Sequence, residues 1–163
     1  MRSKTPIVQK PSWHHQRLLR NLLYNLVYEL DMNTYEVLPY ARFDDAEPLS
    51  DDADLIIIDL RKQKAVIILQ LIRRNEFADM RRQLIRFFGD NPNLREAFLV
   101  DYESQDFYRL TRKEVESMSV DEEYDETDFP ETEFDAEWDD DYRAPSYSFV
   151  LRTDLGELTE LGR

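Results

Sequence analysis

The sequence predicts a single α/β (α+β) domain: a central mixed β-sheet flanked by helices. Three observations carry that expectation. Two apolar, β-branched runs, Asp54 to Asp59 and Ala65 to Ile72, flank the polar turn Arg61-Lys62-Gln63-Lys64, which is the pattern of a hairpin of two largely buried strands. Helical spacing precedes that hairpin and returns after it. A further strand pair follows the second helix, and this order of elements belongs to layered sheet-and-helix folds.

The elements follow in chain order. Residues 1–11 are polar, contain Pro6 and Pro11, and predict a loose arm. Ser12 is placed to cap a long helix. Leu18, Leu19, Leu22, Leu23, Leu26, Val27 and Leu30 then form one wide apolar stripe, with Arg17, Arg20, Asn21 and Asn25 expected opposite. Tyr35 to Phe43 predicts a strand, and Pro39 inside it argues for a sheet edge or a bulge. Residues 44–53 are a polar connection into the hairpin, with Asp59 ending the first hairpin strand.

Phe77, Met80, Leu84, Phe87 and Phe88 restore helical spacing, and Gly89-Asp90-Asn91-Pro92 predicts the stop. Ala97 to Tyr102 and Asp106 to Leu110 predict an antiparallel pair about Glu103-Ser104-Gln105. Thr111 with Glu114 is a capping-box pattern for a short helix to about Met118. A crossover through Phe77–Phe88 would lay Ala97–Tyr102 parallel to Val66–Ile72. Tyr147, Phe149 and Leu151 alternate with Ser148, Val150 and Arg152, so residues 146–163 are expected to add a last strand and a tail.

A chain of 163 residues suits one core. With no cysteine it offers neither a disulfide framework nor a thiolate metal site. No apolar run approaches membrane-spanning length, and residues 1–11 lack an apolar signal segment, so a cytoplasmic protein with no membrane partner is expected. The net charge of −14 is segregated: residues 1–120 carry 18 Lys/Arg against 19 Asp/Glu, and residues 121–163 carry 3 against 16. The acidity therefore belongs to the C-terminal part, and it does not exclude nucleic-acid binding by the body.

Folding the hairpin about its turn sets Asp54 opposite Gln70 or Leu71, and alternation places Gln70, Ile72 and Arg74 on one strand face. With these residues the chain resembles the PD-(D/E)xK nuclease-like superfamily, the restriction-endonuclease-like sandwich, over roughly residues 13–110. The resemblance implies that Asp54 stands at the metal-binding Asp position, although Ala53 replaces the usual Pro. It puts Gln70 where an acid would be and Ile72 where Lys would be. Arg81-Arg82-Gln83-Leu84-Ile85-Arg86-Phe87 is similar to the Gln-x-x-x-Tyr signature of one nuclease branch, with Phe87 at the Tyr.

Mg²⁺ wants hard, preferably anionic oxygens, and Gln70 offers a neutral amide. Ile72 cannot stabilise developing phosphate charge, a loss of ~10²–10³ in rate for one such group. Arg74 would restore charge but cannot act as a base. The expectation is a catalytically degenerate site at Asp54 and Gln70, with no cofactor. The alternative is an active Mg²⁺ nuclease using Asp54, Gln70 and a further acid such as Glu29 or Glu36.

Arg73, Arg74, Arg81, Arg82 and Arg86 form a basic cluster beside that hairpin, expected to track phosphates of DNA or RNA or to pair with Glu76 and Asp79. His14 and His15 point apart near a helix start and are expected at the surface. Residues 121–141 hold thirteen acids among which Tyr124, Phe129, Phe134 and Trp138 are spaced. Within an acidic segment spanning 121–145, after a domain of residues 12–120, they are expected to solubilise, to bind a basic protein, to mimic nucleic acid, or to fold back on the arginines.

Overall fold

The computed structural model describes residues 12–39, 53–117 and 144–159. Helix α1 (Trp13–Glu29) begins as expected, with the Ser12 hydroxyl accepting the His15 N–H at 3.2 Å. Five strands follow: β1 (Tyr35–Pro39), β2 (Leu55–Asp59), β3 (Lys64–Ile72), β4 (Glu96–Asp101) and β5 (Phe107–Thr111). They form one mixed sheet in the order β1-β2-β3-β4-β5. Helix α2 (Phe77–Asp90) joins β3 to β4, which run parallel, while every other neighbouring pair is antiparallel. Helix α3 (Arg112–Ser117) follows β5, with the Thr111 hydroxyl accepting the Glu114 N–H. The mixed α/β architecture expected from the sequence, a central mixed sheet flanked by helices, is the one observed.

The sheet is covered on both faces. Leu18, Leu19, Leu22 and Leu26 of α1 pack on the face that carries Leu55, Ile57, Ile67, Leu69, Leu71, Phe98 and Val100. Phe77, Leu84 and Phe88 of α2 pack on the face that carries Ile56, Ile68, Ile72, Ala97, Leu99 and Leu110. From Val66 to Ile72 every residue of β3 is buried, which is why that strand reads as a continuous apolar run. β1 is the sheet edge, as Pro39 demands, and the strand expectation beyond it, like the residue 1–11 arm, lies outside the described residues.

The helices need one correction, on α1. α2 ends at Asp90, within the Gly89-Asp90-Asn91-Pro92 stop that the sequence predicts, and the carbonyls there find donors from outside the helix ladder. The Asn91 N–H and side-chain amide both reach the Phe87 carbonyl, and the Arg112 guanidinium donates to the carbonyls of Phe88, Asn91 and Leu94. On α1, Asn21 and Asn25 are buried rather than outward, and Val27 is 44% exposed. The reason is a further layer that covers the asparagine flank.

That layer is the chain from Ala144 to Thr159. It does not add a strand to the main sheet. Its two short strands, β6 (Tyr147–Ser148) and β7 (Thr153–Asp154), pair only with each other, and a 3-10 helix, Leu155–Thr159, then lies against α1. Asn21 and Asn25 donate to the Thr159 and Leu158 carbonyls at 2.8 and 2.7 Å, and Leu155 and Leu158 enter the α1-side core. Glu96, buried in β4, accepts from the Ser148 hydroxyl at 2.6 Å and the Phe149 N–H at 2.7 Å. Arg109 donates to the Ala144 and Tyr147 carbonyls. The acidic run is thus followed by chain that belongs to the core.

A chain ending at Val120 should therefore fail to unfold cooperatively in urea. In the full chain Leu155→Ala should lower stability by about 2–5 kcal/mol, the range for buried Leu truncations. A Leu155→Ala midpoint equal to that of the parent would show that this layer contributes little.

Candidate functional site

The β2–β3 register, Leu55 opposite Leu69 and Ile56 opposite Ile68, brings Asp54 opposite Gln70. The two residues do meet, and their polar atoms are spent on each other's strands. The Gln70 Oε1 accepts the Asp54 backbone N–H at 2.9 Å, and the Asp54 Oδ2 accepts the Leu71 backbone N–H at 2.7 Å. Two side chains thereby continue the β2–β3 ladder past the point where Leu55 ends the strand. This answers why an amide stands in an otherwise apolar strand: its oxygen satisfies a part-buried N–H that the ladder no longer reaches.

The second Asp54 oxygen, Oδ1, lies 3.3 Å from His15 Nε2. His15 is buried at 9% exposure, against the expectation of a surface histidine, whereas His14 is exposed. The His15 ring packs edge-on against Tyr102, and its Nδ1 is buried without a hydrogen-bond partner. The sequence did hold a signal for this. His15, Leu18, Leu19, Leu22 and Leu26 share one helical period, so the histidine sits on the buried stripe.

At the carboxyl ends of β3 and β4, polar groups gather. The Arg73 Nε donates to the Tyr102 hydroxyl at 2.6 Å. Arg74 has left the strand for the 3-10 turn Arg74–Glu76, so it does not continue the Gln70–Ile72 face. It reaches across to Asp101 at 3.4 Å and Asp106 at 2.5 Å. Burial alone would push the Asp101 carboxyl up. Hydrogen bonds from the Glu103 and Ser104 N–H groups and from Arg74 outweigh it and hold the group below its ordinary value of 3.8.

The five arginines singled out by sequence are not equivalent. Arg81 is buried and donates to the Tyr108 hydroxyl at 2.8 Å. Arg82 pairs with Asp79 on the exposed face of α2, and Arg86 is exposed four residues on. Arg73 is exposed at the end of β3. Tyr124, Phe129, Phe134 and Trp138 lie outside the described residues.

Among the described residues, those gathered around Asp54 do not fit a metal ion. Of Asp54, Gln70 and Ile72 only Asp54 is an acid, and both its oxygens are engaged. Ile72, at the Lys position, is 2% exposed within the α2-side core. Among the described residues no group of three His, Asp or Glu side chains could hold an ion. Glu36 pairs with Ile58, four positions along β2 from Asp54 and so about 13 Å away. Glu29 lies fourteen residues along α1 from His15, about 21 Å of helix rise. Neither is brought to the site.

No family model matches the chain, and no curated protein matches it. Among solved structures, the type IIG restriction endonuclease BpuSI superposes with a TM-score of 0.44 and 16% identity over 66% of this chain. The match covers 13% of that enzyme. Among the described residues, no helix is long and apolar enough to cross a membrane.

Two outcomes follow from this geometry. Asp54→Ala leaves the Leu71 N–H without its acceptor and should cost about 1–3 kcal/mol in chemical denaturation, with Asp54→Asn closer to the parent. A carboxyl held below its unfolded value stabilises the fold fully above that value and ceases to do so as pH falls through the lower folded one. Asp101→Asn should accordingly flatten the loss of stability seen in pH-dependent melting as pH falls below the ordinary carboxyl value of 3.8. An unchanged acid limb would contradict the assignment.

Proposed function

We propose that this chain is a nuclease-fold protein that binds rather than cleaves, and that its ligand is DNA or RNA met through the exposed arginines Arg73, Arg82 and Arg86. The observation that carries the first half is the engagement of Asp54. A metal-binding aspartate must present its oxygens to a cation and to water. Here one oxygen holds the Leu71 N–H and the other faces His15, while Gln70 is bound to the Asp54 backbone. Recruiting Asp54 for Mg²⁺ would break the link that terminates the β2–β3 ladder. The reading calls for no cofactor.

The second half rests on charge and exposure. Phosphate contacts come from cations that water can reach, and Arg73, Arg82 and Arg86 meet that condition. Arg81 and Arg74 would act at one remove, Arg81 by supporting Tyr108 and Arg74 by fixing the β4–β5 turn.

Incubation of the full chain with labelled single- and double-stranded DNA and RNA, in Mg²⁺ and in Mn²⁺, should give no cleavage. Metal-dependent cleavage that disappears in Asp54→Asn would refute the non-catalytic reading. Binding measured at low salt should weaken at least tenfold in the Arg73→Glu, Arg82→Glu, Arg86→Glu triple variant and should fall steeply with added salt. Equal affinity of variant and parent would remove the arginines from the interface.

A further inference from the structure

At the end of the sheet away from Asp54 lies a cleft of about 900 Å³, within the ~300–1,000 Å³ range of ligand-sized cavities. It opens between the start of β4, the β5–α3 junction and the returning residues Phe149 and Val150. Five cations line it, Lys62, Arg95, Arg109, Arg112 and Lys113, against three acids, Glu96, Glu114 and Glu116. This is a basic concavity on a chain of net charge −14. Glu96 is already engaged by Ser148, Phe149 and Val150, and Glu116 faces Arg112 at 3.5 Å. Among the described residues, the Lys62, Arg95 and Lys113 side chains carry no hydrogen bond or ion pair.

The chain leaves and re-enters the described structure at this cleft. Ser117, which precedes the acidic run, lines it. Ala144, which follows the run, gives its carbonyl to Arg109, also a lining residue, at 2.8 Å. Residues 118–143 between them carry thirteen Asp/Glu and one Arg. Every one of those acids is therefore tethered at both ends beside the cations, at an effective concentration of about millimolar for a short tether. Within the cleft, Phe149 is 44% exposed and offers an apolar surface to an aromatic side chain.

We propose that this cleft is a docking site for an acidic, aromatic-containing peptide, and that its occupant is the segment 121–141 of the same chain. The basic partner expected for the acidic run then lies on the chain itself. An external polyanion or a basic protein has to compete with this internal pairing, and the site is separate from Asp54 and from the arginines of α2. The proposal stands or falls independently of the nucleic-acid reading.

Zero-length carbodiimide coupling of lysine amines to carboxylates tests it on the full chain, with the linked peptides mapped by mass spectrometry. Lys64 serves as an internal control, because it is exposed but lies outside the cleft lining. The expected result is intramolecular links from Lys62 or Lys113 to acids in 121–141, in severalfold excess over links from Lys64. Their yield should fall severalfold in Arg95→Glu, which removes an exposed cleft cation while leaving both lysines in place. It should also fall when salt is raised to about 0.5 M, where the screening length is under 5 Å. Links confined to dimers would assign the cleft to a second copy and overturn the proposal. Equal yields from Lys64 and the cleft lysines, or a yield indifferent to Arg95→Glu in a variant of unchanged circular dichroism, would overturn it as well.

Discussion

Burial of β3 on both faces is the constraint from which the rest of the molecule follows. A strand with no exposed residue from Val66 to Ile72 requires a layer on each side of the sheet. α2 supplies one as the crossover to β4. α1 supplies the other but is too narrow to cover it alone, and the segment from Ala144 to Thr159 completes it. The carboxamides of Asn21 and Asn25 and the carboxylate of Glu96 fix that segment in place.

The same constraint explains the chemistry of the hairpin. In a strand closed to water a polar side chain must find a partner within the protein, and the net cost of failing to do so is about 1–3 kcal/mol. Gln70 meets that demand with the Asp54 N–H, and Asp54 returns a bond to the Leu71 N–H. Ile72, two residues on, meets the same demand by being apolar and filling the α2-side core. Asp54 and Gln70 together form a structural clasp between β2 and β3.

Charge is distributed by the same logic. Buried Arg81 is tied to Tyr108, and two half-buried cations of the cleft are tied as well, Arg112 to the Phe88 and Asn91 carbonyls and Arg109 to the returning chain. The exposed Arg95 of the same cleft has no such acceptor among the described residues, and Ser117, the last described residue before the acidic run, lines it too. An acidic stretch that looks like a tail in the linear sequence is flanked on both sides by chain that belongs to one fold, up to Ser117 and again from Ala144.

Much of this was legible in the residues alone. The β-branched runs around Arg61–Lys64 determine the hairpin but leave its register open by one residue, because strands buried on both faces lack the apolar–polar alternation that would fix it, and the structure sets Leu55 opposite Leu69. Ser12, Thr111 and Pro39 mark a cap, a cap and an edge by chemistry that acts within a few residues. The burial of His15 was also written in the helical period of its neighbours. What local pattern could not determine was anything that depends on a distant partner. Asn21 and Asn25 read as solvent-facing until Leu158 and Thr159 supply carbonyls, and the stop at Gly89–Pro92 gives no sign that Arg112 donates to the Phe88 and Asn91 carbonyls there. Tyr147–Leu151 alternates like a strand but finds no sheet edge to join. Backbone hydrogen-bond demand is local and visible in sequence; the side chains that satisfy it come from across the fold, and only the tertiary structure decides which.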